Sequence, residues 1–330
     1  MALVPPLIVI LAALLLSAWL ARRSRRTANP LLRRLGPPIF GLSSAGLAAV
    51  ALVALVGWYR LEFPRNHQVA TVKVVATPES IARGEKLANL CVSCHTRTKQ
   101  LPLDGSDGNV VRTPLIGRLH SPNLTPAGPL KDWSDGEIIR AIREGIGANG
   151  RPLLGMPSWS FRYLSDRDVQ SLVAYLRSQP SVTHTVPSRS LTLLAALAVG
   201  IGMAPTSVQP PITQTVPAPQ AAVSAEYGRY LVAFAGCRDC HGKNLNGGTA
   251  PLGIKVLSPT PLGPSLLVAA QLMSQSQFVS TMRTGLTRNG RPLNPELMPW
   301  QDFSRAFTDD ELKAIYLYLN TVDSTAASTP

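Results

Sequence analysis

The pentapeptide CVSCH runs from Cys91 to His95, and CRDCH, from Cys237 to His241, repeats its pattern. Each places two cysteines at positions i and i+3 and a histidine directly after the second. On a helical turn this spacing puts both thiols on one face, with the imidazole beside them. The chain has 330 residues and four cysteines, all of them in these two stretches. We therefore expect no disulfide and two equivalent sites.

The C-x-x-C-H pattern is the attachment signature of c-type haem, in which the thiols form thioethers to the porphyrin and the histidine binds the iron. A redox dithiol would sit in a β-α context, which the sequence lacks. A four-cysteine zinc site would need the two pairs close together, but 146 residues separate them. The sequence thus predicts two covalently bound haem c groups. The predicted attachment residues are Cys91, Cys94, His95, Cys237, Cys240 and His241.

The pattern downstream of each pentapeptide also repeats. An R-x-G-x-x-x-N-G-R-P-L stretch, a Met-Pro pair and an amphipathic segment follow in the same order, and cysteine to methionine spans 65 residues in one copy and 61 in the other. Shared order and near-equal spacing indicate a duplicated domain of about 100 residues. The predicted domains are residues 77–181 and 223–323.

The Met-Pro pairs predict the sixth iron ligand of each haem. Met156 and Met298 stand at matched places in the two copies, and His/Met ligation of haem iron suits electron transfer. The alternative for either methionine is ordinary core packing. The predicted iron ligands are therefore His95, Met156, His241 and Met298. Three histidines are unpaired between the copies and are expected to be solvated in loops, with His120 the alternative distal ligand: His67, His120 and His184.

Amphipathic helices are predicted at both ends of each copy. Ser165 and Thr308 are N-cap candidates, and Asp168 and Glu311, three residues on, can bond back to the N-cap amide as in a capping box. Apolar residues then recur at helical spacing, and further helices are expected at IARGEKLANL and AEYGRYLVAF. No segment alternates as strands do. The predicted fold class is all-α, two tandem helical domains behind a membrane anchor.

The N-terminal residues 1–60 predict that anchor. Residues 2–20 and 37–59 are uncharged and apolar, and each is long enough to cross a hydrocarbon core of about 30 Å. The intervening loop, residues 21–36, is rich in arginine, and the positive-inside rule places it in the cytoplasm. Both haem domains are then expected on the periplasmic side of the inner membrane. A cleaved signal peptide is the alternative, but its charges would precede the apolar core.

The predicted linker, residues 182–222, has two parts. Residues 191–204 are apolar but too short to span, so we expect either a helix on the membrane surface or on a partner, or a plain apolar linker. Residues 205–220 hold five prolines and no charge, which is typical of an extended tether.

The net charge of +13 does not indicate a nucleic-acid partner. Six of the 32 basic residues lie between positions 22 and 34, whereas residues 77–181 carry 13 basic and 10 acidic side chains. Residues 223–323 carry nine basic and eight acidic side chains. The two predicted domains are therefore nearly neutral, and the basic cluster is explained by the membrane.

The chain resembles class I cytochromes c, and its first copy resembles the cytochrome c subunits of membrane-bound alcohol, aldehyde and gluconate dehydrogenases. SPNLTP at 121–126, DWSDGEIIRAIREG at 132–145, GMPSW and LSDRDVQSLVAYLRS carry the resemblance. Those subunits usually carry three haem domains, whereas two are expected here, and GPSLLVAA stands where an N-L-T-P stretch would be in the second copy. The resemblance implies electron delivery in the periplasm from a dehydrogenase to quinone or an oxidase.

The sequence therefore predicts an electron-transfer protein with no substrate of its own. Its expected partners are a membrane oxidoreductase complex (a dehydrogenase, a quinol-oxidising complex or a terminal oxidase) or a mobile electron carrier. The alternative is a dihaem cytochrome c peroxidase-like enzyme, which would need one haem with an open sixth position. A haem-based sensor would need a signalling domain, which is not evident in the sequence.

Overall fold

The computed structural model describes residues 4–110, 115–247 and 263–322. Within these ranges the regular secondary structure is helical apart from two short paired strands, so the all-α prediction is confirmed. The first helices are α1 (Val4–Ser24), α2 (Pro30–Glu62), α3 (Pro78–Ala88), α4 (Val92–His95), α5 (Asp135–Glu144), α6 (Ser158–Phe161), α7 (Asp166–Ser178) and α8 (Leu193–Gly200). The rest are α9 (Ala225–Phe234), α10 (Cys237–His241), α11 (Leu266–Gln271), α12 (Gln275–Thr284), α13 (Trp300–Ala306) and α14 (Asp309–Thr321). The strands are β1 (Gly117–Arg118) and β2 (Ser190–Leu191).

Helices α1 and α2 form an apolar hairpin, and both are long and apolar enough to cross a membrane. The predicted basic loop 21–36 is mostly helical, because α1 continues to Ser24 and α2 begins at Pro30. The side chain of Asn29 caps α2 by accepting from two backbone amides of its first turn, and proline occupies the first helical position. Residues 25–29 therefore connect the helices. The predicted anchor begins at Met1, which lies outside the described residues.

The first and last helices of each copy cross at a glycine. A Cβ atom at Gly84 of α3 would overlap the carbonyl of Ser171 in α7, and one at Gly228 of α9 would overlap the carbonyl of Ala314 in α14. Only hydrogen allows the two backbones to approach this closely. The helix pairs α3–α7 and α9–α14 therefore pack in the same way in the two copies.

The middle of each copy also has a common design. Helices α5 and α12 both end at a glycine with positive φ, Gly145 and Gly285. Each glycine carbonyl then accepts a 2.7 Å hydrogen bond from the backbone amide eight residues later, that of Leu153 or Leu293. This closes a loop that leads directly to Met156 or Met298.

One hydrophobic core runs through both copies. It includes Leu87 and Val173 of the first copy and Leu231 and Leu319 of the second, all buried. The two copies are thus packed against each other. The predicted end of the second copy, Asp323, lies outside the described residues.

The linker is packed on the first copy and on the anchor. Its proline-rich part is extended, but it is hydrogen-bonded along the first copy, with Ser207 N to Leu153 O at 3.0 Å and Asp166 N to Val216 O at 2.9 Å. It is therefore a strap and not a free tether. The predicted apolar stretch forms β2, which pairs with β1, and α8. Helix α8 packs on α2 of the same chain, so close that a Cβ at Gly57 would overlap the carbonyl of Ala196.

Candidate functional site

The first C-x-x-C-H stretch turns tightly after α3. A 3₁₀ turn over Asn89–Cys91 leads into α4, which places Cys91 and Cys94 on successive turns and buries His95. The ring Nδ1 of His95 lies 3.0 Å from the carbonyl of Pro122 and donates to it. This bond keeps the proton on Nδ1 and leaves the lone pair on Nε2, the arrangement that metal-binding histidines use.

The second stretch repeats this geometry. Helix α10 follows Gly236, which adopts a positive φ of 73°, and it ends at the buried His241. The ring Nδ1 of His241 donates to the carbonyl of Pro264 at 2.8 Å. Gly263, the preceding residue, lies against the imidazole, and a Cβ there would overlap the ring. The histidine is thus oriented by a prolyl carbonyl in both copies.

Burial sets the charge state of these groups. It raises the pKa of the Cys91 and Cys237 thiols to about 12, so both are protonated at neutral pH. Burial also lowers the pKa of His95 and His241, against the opposing effect of the prolyl hydrogen bonds. Neutral imidazole is the form that binds iron, whereas a reactive redox dithiol needs a depressed thiol pKa.

The methionines follow the closed loops described above. Met156 is half-buried and packs against the core. Each methionine carbonyl accepts from the amide two residues later, Ser158 or Trp300, at 2.8 and 2.7 Å, which starts the short helices α6 and α13. A Cβ atom added to Gly155 would lie 3.5 Å from the side chain of Leu119. The segment that contains Leu119 and Pro122 therefore packs against the loop that precedes Met156.

These residues fit a covalently attached haem. Two neutral thiols lie beside an imidazole whose Nε2 lone pair is not used by the prolyl bond, and apolar core residues surround the turn. The same set occurs in the second copy with the same tautomer. The assignment of Met156 and Met298 as sixth ligands stays a prediction.

The expectation that the three unpaired histidines are solvated is wrong. His67 Nδ1 lies 2.6 Å from Glu144, and His184 Nδ1 donates to the carbonyl of Asp104 at 2.7 Å. His120 Nδ1 is buried and has no partner among the described residues. His67 and His184 fasten loops to the first copy, a role that depends on long-range contacts with no local sequence signal.

Four polar residues near the two sites were missed. Ser93 of the first pentapeptide donates a short hydrogen bond to Asp302 of α13, and Asp239 of the second accepts from Ser160 of α6 at 3.0 Å. Burial raises the pKa of both carboxyl groups, although their hydrogen bonds oppose the shift. The aligned repeats could have revealed them, because Ser160 and Asp302 each lie four residues after a predicted methionine ligand.

Comparison with known proteins supports the predicted class, a c-type cytochrome. Residues 79–176 match the family described as cytochrome C oxidase, cbb3-type, subunit III. The match lies within the first predicted copy and supports a cytochrome c domain there.

The chain is similar to proteins named as subunits of dehydrogenases. It is 27% identical over 267 residues to the fructose dehydrogenase cytochrome subunit of Gluconobacter japonicus, an alignment that covers 76% of this chain and 54% of the relative. It is 34% identical over 218 residues to a nicotinate dehydrogenase subunit of Pseudomonas putida, covering 61% of this chain and 18% of the relative. The alcohol dehydrogenase (quinone) cytochrome c subunit of Gluconacetobacter polyoxogenes is 24% identical, with 77% and 59% covered. The chain thus spans at most about three fifths of these relatives.

Proposed function

We propose that the chain is a membrane-anchored dihaem c-type cytochrome that transfers electrons on the periplasmic face. One observation carries the proposal: both C-x-x-C-H stretches present their histidine in the same tautomer, held by a prolyl carbonyl at 3.0 Å in one copy and 2.8 Å in the other. A second copy that had lost its cofactor would have no reason to retain this arrangement. The proposed domains are residues 77–181 and 223–323.

The proposed roles follow the geometry. Cys91 and Cys94, and Cys237 and Cys240, would be the thioether anchors, and the Nε2 atoms of His95 and His241 would bind iron. Met156 and Met298 would occupy the sixth positions, so that no substrate could enter there. Haem c, when bound, supplies an iron that gains and loses one electron. The chain's own residues orient the ligands and keep water from the buried histidines.

The membrane arrangement is proposed from charge and aromatic residues. Arginines cluster where α1 meets α2, and the positive-inside rule places that end in the cytoplasm. At the other end of α2, Phe63 contacts Tyr59 with ring centroids 4.7 Å apart, and Arg65 stacks on Tyr59. Aromatic residues of this kind mark the membrane–water interface. Both haem copies follow on that side.

The proposed partner is a membrane-bound dehydrogenase. The relatives' names, which include fructose, nicotinate and alcohol dehydrogenase subunits, support this class of partner. Electrons would enter from the dehydrogenase and leave to an oxidase, to quinone or to a mobile carrier. Co-purification in mild detergent, followed by identification of the associated proteins, tests the class directly.

Haem content tests the central proposal. Alkaline pyridine spectra of the denatured protein should report two c-type haems per chain. Cys91→Ala and Cys237→Ala should each remove one, and each variant is the control for the other. A single haem in the unmodified protein would refute the proposal.

The peroxidase-like alternative is tested by ligand binding. Two occupied sixth positions predict no reaction of the reduced native protein with carbon monoxide. Rapid carbon monoxide binding together with peroxide turnover would favour the enzyme instead.

A further inference from the structure

The two sites are joined by a pair of crossed hydrogen bonds. Ser93, inside the first pentapeptide, bonds to Asp302 of the second copy. Asp239, inside the second pentapeptide, accepts from Ser160 of the first copy, with its carboxylate oxygens 3.0 and 3.2 Å from Oγ. Each attachment turn is thus bonded to the helix that follows the other copy's methionine.

The four residues occupy equivalent positions. Ser93 and Asp239 are both the residue before the second cysteine of a pentapeptide, and Ser160 and Asp302 both lie four residues after a methionine. In the first contact the serine lies in the pentapeptide and the aspartate follows the methionine. In the second contact the aspartate lies in the pentapeptide and the serine follows the methionine. Each contact therefore keeps one hydroxyl donor and one carboxylate acceptor, and each site has one carboxylate beside its attachment turn.

The contacts are built into the interface between the copies. Asp302 and Ser160 are only 6% and 5% exposed. Asp302 also accepts from Arg305 at 2.7 Å, and Arg305 reaches Asn89 of the first copy at 3.1 Å. Buried polar networks of this kind hold a single relative orientation.

We propose that Asp302 and Ser160 are positioning residues for the haem site of the opposite copy, so that the two sites form one coupled unit. This inference rests on the proposed binding of two haems. Each residue follows one methionine in sequence, but it touches the attachment turn of the other site. Altering it should therefore change the redox potential of the haem across the interface.

The two substitutions are expected to shift the haem redox potentials in opposite directions. The Asp302 carboxylate beside the first attachment turn favours the more positive, ferric state of that haem, because a buried charge acts strongly at short range. Asp302→Asn should raise the first haem's potential. Ser160 donates to Asp239 and partly offsets its charge, so Ser160→Ala should lower the second haem's potential.

The test uses the full chain with one haem at a time. Asp302→Asn is combined with Cys237→Ala, which leaves the first haem, and Ser160→Ala with Cys91→Ala, which leaves the second. Potentiometric titration should show an upward shift in the former and a downward shift in the latter. Asp310→Asn is the control, because Asp310 is exposed and pairs with its neighbour Lys313, away from both attachment turns.

Two results of the titration would overturn the inference. An unchanged potential in both single-haem variants, or a shift equal to that of the control, overturns the inference. Should a single-haem protein fail to fold, the same two substitutions in the dihaem protein with Met298→Ala decide it, since the second haem then titrates separately at lower potential. Pyridine spectra are recorded first. Fewer than two haems in the parent protein refutes the proposed function, whereas two haems without shifts refutes the coupling alone.

Discussion

The phenol of Tyr230, in the second copy, donates a 2.6 Å hydrogen bond to Asp168 of the first copy. Its oxygen also accepts from the amide of Ser165, the N-cap residue of α7, at 2.9 Å. Arg83 completes the group with bonds to Asp168 at 2.9 and 3.0 Å and to Glu311 at 2.6 Å. The first turns of α7 and α14 are therefore joined through side chains from both copies.

Removing the phenol should loosen this interface. Tyr230→Phe leaves the Ser165 amide buried without a partner and takes one donor from Asp168, which should cost about 1–3 kcal/mol of unfolding free energy. Denaturant unfolding of the haem-loaded protein measures the loss. Tyr316→Phe is the matched control, since its 2.9 Å bond to the Met273 carbonyl stays within the second copy. Equal, small effects in the two variants would contradict an interfacial role.

Alkaline pH should weaken the same interface. Burial raises the pKa of Tyr227 to about 12 and raises that of Tyr230 as well, above the ordinary value of about 10. Because the folded pKa exceeds the unfolded one, the stabilisation is complete below about pH 10 and is lost as pH rises through the folded values. Tyrosinate absorbance and unfolding free energy should be followed together from about pH 9 to about pH 12. Ionisation of all seven tyrosines near pH 10 without unfolding would be inconsistent with this.

The helix crossings should not tolerate a methyl group. Gly84→Ala and Gly228→Ala would each press a Cβ into a backbone carbonyl, and overpacking of this kind costs about 1–3 kcal/mol or more. Each variant should lose stability in its own copy, because the helix pair that frames that copy can no longer close. Gly46→Ala is the control, because no atom of the described residues lies within 4 Å of a Cβ at that position. Unchanged thermal stability in both variants would show that the crossings can separate at no cost.

The sequence was most informative where structure is local. The capping box at Thr308 and Glu311 is present, and the apolar spacing correctly predicted α7 and α14. Asp168, at the matching position in α7, was wrongly expected to bond its own N-cap amide. Tyr230 takes that role, and Asp168 pairs with Arg83 instead. Long-range partners displaced a local rule, and the local pattern carried no sign of them.

The linker and the crossed hydrogen bonds also depend on long-range contacts that the local sequence does not reveal. The packing of α8 on α2 depends on two glycines, Gly57 and Gly200, that look like ordinary residues of apolar segments. Alignment of the repeats could have shown that Ser160 and Asp302 are equivalent, but not that each faces the other copy. Which surfaces meet is decided by shape over the whole interface, and one sequence does not display that.

The methionine assignment predicts a spectroscopic loss in each copy. Met156→Ala and Met298→Ala should each abolish a sulfur-to-iron absorption band in the oxidised protein and lower one potential, because thioether ligation raises the potential of haem iron. Met203→Ala serves as control, since Met203 follows α8 in the linker and has no counterpart in the other copy. An unchanged band in Met156→Ala would point to another distal ligand, with His120, whose buried Nδ1 has no partner in the described part of the chain, tested next.

The packing of α8 on the anchor predicts how the two copies would be held at the membrane in the proposed arrangement. Buried Ala196 and Val199 of α8 lie against α2, and Arg60 of α2 donates to the Val199 carbonyl at 2.9 Å. Gly57→Leu should displace α8 without touching either haem site. We expect both proposed haems to remain attached, while reduction by the proposed membrane-bound dehydrogenase slows because the first copy no longer has a fixed position over the membrane.

Gly46→Leu is the matched control, because it adds the same side chain to α2 at a position where a Cβ meets no described atom within 4 Å. The two domains carry little net charge, so reduction of the unmodified protein should depend weakly on ionic strength. Normal reduction by the Gly57→Leu protein, combined with a steep fall of the rate with salt, would show instead that the haem copies act as a tethered shuttle. Slow reduction in Gly57→Leu alone, at every salt concentration, is the result that fixed docking through α8 requires.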